Sequence, residues 1–317
     1  MNFKFSIIIW FLGISFCLAQ TDSTKIAFVA YWSKGDSYDY IVTKIKKNWS
    51  GDELAKTDSS TYFANFSVID STETEYKIRW KYKSNFINLP VEFSSLLNNN
   101  SVFLEFIYRT NEFGEFLEVE NWKEISEIMK KSFNLAIEKV KMEKPDIDIT
   151  RLNKAMDPFL SIFTSKEGIE SLVLKELQYF HFPLGIEFET SQPIIYEEEF
   201  ENLIGEKPLR GDAVISFDHL DQENGFCIFN HDVTLNSEDA KTMVITLFEK
   251  MGVKDQKMED FIGMSKFDIV DKNYFEYFYF PGVPYYIETD RIVEFIANES
   301  KNKMQEKIRI ELILEDE

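Results

Sequence analysis

The amino-acid sequence predicts an α+β fold in which antiparallel β-sheets, in two portions, pack on a central helical block in a half-barrel-like arrangement. Three observations predict it. Tyr76, Ile78, Trp80 and Tyr82 alternate with Lys77, Arg79, Lys81 and Lys83, the period-two pattern of a strand with one buried and one wet face. Trp122, Ile125, Met129, Phe133, Ala136 and Val140 recur at three- and four-residue steps, which lays one apolar stripe along a helix. Strand-like segments come in runs on both sides of that helical stretch, which favours antiparallel sheet over alternating βαβ units.

In chain order, the first residues read as a targeting segment. Lys4 supplies a positive start, residues 5–16 are apolar but too short to span a bilayer, and Cys17-Leu18-Ala19 offers small residues for cleavage. Residues 1–19 are therefore expected to be a signal peptide, with export to the periplasm or beyond. The rival reading is a lipid anchor on Cys17, against which stands Phe16 where a small residue is wanted. No later segment is apolar enough for a membrane span.

The expected bodies are residues 20–183, a sheet plus the helical block, and residues 184–317, β-rich with one helix; a single continuous domain is the alternative. In the first body, Lys34-Gly35-Asp36 marks a turn between strands. Tyr62, Ala64, Phe66 and Val68 share one side of the next strand, and the Tyr76 strand follows. Residues 88–100 read as a connector with a short helix-like piece at 93–97. Asn121 with Glu124 suggests a capping box, Pro145 a helix stop, and Asp157-Pro158 a break in the second helical piece. Ile169, Leu172, Val173 and Leu177 form the stripe of a third piece, which starts after Ser165. In the second body, strands at 213–218 and 226–235 turn at 221–225, Ser237 caps a helix ended by Gly252, and the remainder is β. Its last strand sets Ile308, Ile310, Leu312 and Leu314 against Lys307, Arg309 and Glu311.

Charge and composition narrow the function. The chain carries a net −20, so nucleic acid and anionic membranes are expected to repel it. The charge is uneven: residues 21–90 hold ten Lys/Arg and nine Asp/Glu, which leaves the acidity to the rest. Cys17 and Cys227 are the only cysteines, and after cleavage one remains, so no internal disulfide forms. No phosphate-binding loop, Gly-x-Ser-x-Gly, His-Glu-x-x-His or cysteine pair occurs. The three histidines are not at metal-ligand spacing, and His231 and Cys227 read as core on one strand face. No catalytic residue, cofactor or metal ligand is nominated.

Two features stand out as candidate binding residues. Lys77, Arg79, Lys81 and Lys83 make a basic face suited to an anionic group or acidic partner, or simply a solvated strand face that discourages edge pairing. Residues 274–286 hold eight aromatics, of which Tyr277, Tyr279 and Tyr285 are the candidates for an apolar ligand or a glycan, with core packing as the plainer reading.

The layout resembles uncharacterised exported β-rich envelope proteins of Gram-negative bacteria, in its signal peptide, the Lys34-Gly35-Asp36 strand entry, the Asn121-Trp122 helix start and the passage from Phe280 to Tyr286. That resemblance implies an envelope location and carries no functional residues. A looser likeness is to periplasmic lipoprotein carriers, where an antiparallel half-barrel wraps helices and holds acyl chains. The sequence thus leads to a non-enzymatic binder of an apolar small molecule, a glycan or an envelope protein. A structural or interaction module with a self-filled core is the alternative, and a hydrolase with scattered carboxylates is the third reading.

Overall fold

The computed structural model describes residues 24–83, 103–173, 175–205, 207–253, 255–297 and 300–314. The expected signal peptide, the helix-like piece at 93–97 and the side chain of Lys83 lie outside what it describes. The chain is mostly β, with 49% strand against 28% helix, so the balance expected of an α+β protein tilts toward sheet.

An N-terminal meander runs through β2 (Ser37–Ser50), β3 (Glu53–Ser71), β4 (Glu75–Lys83), β5 (Phe103–Asn111) and β6 (Phe116–Val119). A C-terminal meander runs through β8 (Ile194–Phe200), β9 (Leu209–Asp221), β10 (Phe226–Leu235), β11 (Lys266–Phe278), β12 (Val283–Ala297) and β13 (Ser300–Leu312). The two portions are not separate sheets: β13 pairs antiparallel with β2, from Asn302↔Ser50 to Leu312↔Tyr40. The result is one 11-stranded antiparallel sheet in the order β6-β5-β4-β3-β2-β13-β12-β11-β10-β9-β8. It is open, not a closed barrel. A two-stranded sheet pairs β1 (Lys25–Ala27) with β7 (Glu187–Glu189).

Each strand of the large sheet has one buried face, as the alternation of apolar and polar residues demands. Tyr40, Val42, Ala64, Phe66, Ile78, Trp80, Phe229, Phe275, Tyr277, Ile287 and Ile310 all point to the same packed side. Helices α1 (Trp122–Glu143), α2 (Ile149–Thr164) and α3 (Lys175–His181) lie between the meanders in sequence. The α1 stripe seats Ile125, Met129, Phe133 and Ala136 in buried positions. Phe180 of α3 is fully buried, stacked on Phe66 at 5.0 Å and edge-on to Tyr40 and Trp80. A strap, residues 28–32, closes one end of this core by turning Phe28, Ala30 and Trp32 inward. Of the helical block, α3 fills the packed side of the sheet, while α2 buries no residue.

Several local expectations shift. Asn121 makes no side-chain cap; its Oδ1 accepts from Ile107 N–H at 2.9 Å and its Nδ2 donates to the Glu105 carbonyl at 2.8 Å, so it fastens α1 to β5. Pro158 lies inside α2 instead of breaking it. That costs one backbone hydrogen bond in a helix with no buried residue, where water can replace it. The break falls at Ser165, followed by a helical turn, Lys166–Gly168, and a π-helical turn, Ile169–Val173. Asn236, not Ser237, caps α4 (Ser237–Lys250), accepting from the N–H groups of Glu238 and Asp239. A further helix, α5 (Gln256–Met264), occupies a stretch expected to be β; Asp255 caps it.

Candidate binding surface on the wet face of the sheet

The face turned away from the helices should be polar, because nothing covers it. Over β2–β6 it is so for the most part, with Phe63 exposed there. Lys77, Arg79 and Lys81 stand there as the alternation predicts. Lys77 pairs with Glu120 at 2.6 Å, Arg79 donates to Ser67 Oγ at 3.3 Å, and Arg109 binds Glu75 at 2.8 Å and also Glu118. An anion docking at Lys77 or Arg109 would have to displace these carboxylates.

Over β10–β13 the same face is different. Phe226 of β10 and Phe278 of β11 pack at 5.1 Å, and Tyr285 joins them at 6.4 and 6.0 Å. Tyr274 and Tyr286 meet edge to face at 6.1 Å. All five rings are half-buried. Tyr285 reaches this face through a β-bulge: Glu276 opposes Tyr286 while Tyr277 opposes Pro284, which leaves Tyr285 as the extra residue. Two consecutive tyrosines therefore serve one surface.

Polar groups are interleaved with the rings. The Tyr274 hydroxyl donates to Glu276 at 2.8 Å and the Tyr286 hydroxyl to Glu288 at 3.1 Å. Glu288 also receives Lys307 at 2.5 Å and Arg309 at 2.6 Å. Partial burial, reinforced by these carboxylates, pushes both phenols up to about 12. Burial would raise Glu288, but hydrogen bonds from Lys307 and Arg309 outweigh it and hold the carboxyl below its ordinary range. The tyrosines thus remain neutral and Glu288 remains a carboxylate. The surface offers ring faces, carboxylate acceptors and guanidinium donors, with no activated nucleophile.

The other sequence candidates lie elsewhere. Tyr277 is on the packed side, its hydroxyl donating to the Phe180 carbonyl at 3.1 Å. Tyr279 sits in the β11–β12 turn and donates to the Asp221 carbonyl at 3.3 Å. Of the three tyrosines singled out, Tyr285 belongs to the surface. Phe226 was missed, and Tyr274, Phe278 and Tyr286 were passed over. Strand parity separates Tyr274 and Phe278 from Phe275 and Tyr277, but the bulge that recruits Tyr285 leaves no mark in the alternation.

The packed side holds titratable groups of its own, all engaged with one another. Under α3, Glu176 binds Lys44 and the Tyr62 hydroxyl, Lys175 meets Glu306 at 3.3 Å, and Asp271 holds Arg291 through two bonds of 2.6 and 2.5 Å. Burial lowers Lys175; burial would raise Glu306, but Lys175 overrides it and lowers that carboxyl. His231 contacts the Tyr196 hydroxyl at 3.0 Å and Glu198 at 3.2 Å and stacks on Phe182 at 4.4 Å. His181 Nδ1 donates to the Gly114 carbonyl at 2.8 Å, so Nε2 accepts from Tyr108 at 2.9 Å, and burial drives this imidazole down to about 4. Cys227 is buried and its thiol is pushed up by burial. Among the described residues no three His, Cys, Asp or Glu side chains gather to hold a metal, and no helix is long and apolar enough to cross a membrane.

Comparison with known proteins gives little. No family model and no curated protein matches. Among solved structures, a lipovitellin described for its lipid–protein interactions aligns with 89% of this chain at 8% identity and a TM-score of 0.37, and the chain spans 25% of that protein's length. Ail, the attachment invasion locus protein of Yersinia pestis, aligns with 89% of this chain and 100% of its own at 6% identity and a TM-score of 0.14. Neither likeness bears on function.

Proposed function

We propose that this is a non-enzymatic, exported binding protein that takes a glycan on the wet face of β10–β13. The observation that carries the reading is the set of five partly buried rings, Phe226, Tyr274, Phe278, Tyr285 and Tyr286, grouped on the open face of the sheet, where of the five Phe278 alone also packs against the core. Aromatic faces grouped on an uncovered surface mark a binding surface. A sugar ring presents C–H groups that lie against aromatic faces and hydroxyls that bond carboxylates and guanidinium, and this surface supplies both. An acidic chain suits a neutral glycan better than an anionic one. An enclosed acyl chain is a poorer fit, since Phe180 and the strap already occupy the packed side.

Affinity electrophoresis through gels containing neutral polysaccharides tests the reading. Retardation by at least one glycan is expected, with a loss of about tenfold in affinity for Tyr285→Ala or Tyr286→Ala. No retardation across the panel, or retardation untouched in both variants, would sink it. Lipid retained through purification and seen by mass spectrometry would instead favour the carrier reading.

A further inference from the structure

The five rings of the wet face form a band that runs along the strands. Phe226 of β10 opposes Phe278 of β11, and Tyr285, the extra residue of the bulge, joins them. Two residues along β11, Glu276 opposes Tyr286 of β12. Two residues further, Tyr274 opposes Glu288, which in turn opposes Arg309 of β13. The rise of a strand places Phe278 and Tyr274, the two ends of the band on β11, about 13 Å apart. Within each end the rings are 5.1 to 6.4 Å apart.

The positions along this band differ in chemistry. The Phe278 end offers three rings. The middle offers the Tyr286 ring beside the Glu276 carboxylate, and the far end offers the Tyr274 ring beside Glu288 and Arg309, which bond each other at 2.6 Å. Beyond Tyr274 the next row is Lys272, Asp290 and Lys307, where Asp290 is held by Lys307 at 3.5 Å and by Gln305 at 2.8 Å. A sugar ring is no wider than an aromatic one, so a single sugar covers one position and leaves the others open. Joining the two ends takes about three sugars. The rings stand on the strands themselves, so each sugar is touched on one side only. A site for one small molecule is concave and encloses most of its ligand. On a platform, affinity is summed over joined units, each of which raises the effective concentration of the next.

We infer, building on the glycan reading, that the surface takes a linear stretch of about three sugars lying along β11, and not a single sugar or a chain crossing the strands. The first sugar stacks on the group of Phe226, Phe278 and Tyr285. The second lies over Tyr286 and donates a hydroxyl to Glu276. The third stacks on Tyr274, where Glu288 accepts from one of its hydroxyls and Arg309 donates to another. A chain crossing at the Phe278 row would leave Tyr274, Glu288 and Arg309 unused.

The test uses the full chain, a neutral polysaccharide that retards it, and oligosaccharides of one to six sugars cut from that polysaccharide as competitors in the gel. The trisaccharide should compete about tenfold better than the disaccharide and about a hundredfold better than the monosaccharide, while a fourth sugar should add less than about twofold. Phe226→Ala and Tyr274→Ala, at opposite ends of the band, should each weaken the trisaccharide about tenfold and remove most of its advantage over the disaccharide. Tyr274→Phe, which keeps the ring, should stay within about twofold of the parent protein. Circular dichroism checks the folding of each variant, and Tyr285→Ala replaces Phe226→Ala if the latter does not fold. A monosaccharide that competes as well as the trisaccharide, or a gain that continues undiminished to six sugars, overturns the inference and leaves glycan binding standing. So does a loss in Phe226→Ala with none in Tyr274→Ala, which assigns a chain that crosses the strands. No retardation by any polysaccharide overturns the inference and the glycan reading together.

Discussion

The two halves of the wet face belong to one sheet, pack their opposite sides alike, and yet differ in what they show to solvent. Over β2–β6, cations and carboxylates interlock around two small apolar pairs, Phe63 opposite Ile41 and Trp49 opposite Leu54. Over β10–β13, five rings cluster around Glu276 and Glu288. Since the first half folds without such a cluster, β-propensity and sheet formation do not account for the second.

The comparison holds only if both halves are one cooperative body. Phe180 touches Tyr40, Phe66 and Trp80 from the N-terminal meander, and its carbonyl accepts from Tyr277 of the C-terminal one. Phe180→Ala should cost about 4 kcal/mol in urea unfolding and keep a single transition; two transitions would break the comparison into two domains. The next largest effect is that of pH. His181 takes a proton in the unfolded chain near 6.5 but in the folded one only near 4. The unfolded state therefore binds more protons as pH falls through that window, and stability drops by about 3 kcal/mol by pH 4. His181→Gln, less stable at pH 7, should show a flatter acid limb in the same unfolding series.

Smaller effects separate the wet halves directly. Tyr286→Ala should lower glycan affinity about tenfold while changing stability by less than about 1 kcal/mol. Lys77→Ala should change stability by less than about 0.5 kcal/mol, as expected of a solvated ion pair, and leave affinity alone. If Lys77→Ala weakens binding as much as Tyr286→Ala does, the two halves are not distinct.

Much of the sheet was legible because period-two patterning is written residue by residue: the faces of β3, β4 and β13 follow from it directly. The joint between β2 and β13 was not, since no local signal marks the pairing of strands so far apart in sequence. Asn121 misled because an Asn before a helix also bonds freely to a neighbouring strand, and tertiary contact decided. α5 was lost because its short apolar pattern, Phe261 and Ile262 after Met258, fits a strand as well as a helix. In the binding surface, aromatic density located the stretch, but the bulge at Tyr285 reset the parity by which its residues would have been sorted.

The pairing of β2 with β13 has a consequence for how the protein comes into being. Tyr40 cannot find Leu312 until the long stretch of chain between them has been made, so the N-terminal meander waits meanwhile with an open edge. Contacts of such long sequence separation close slowly. Until then the β2 edge is an open seam of backbone N–H and C=O groups, the place where a wrong pairing would start.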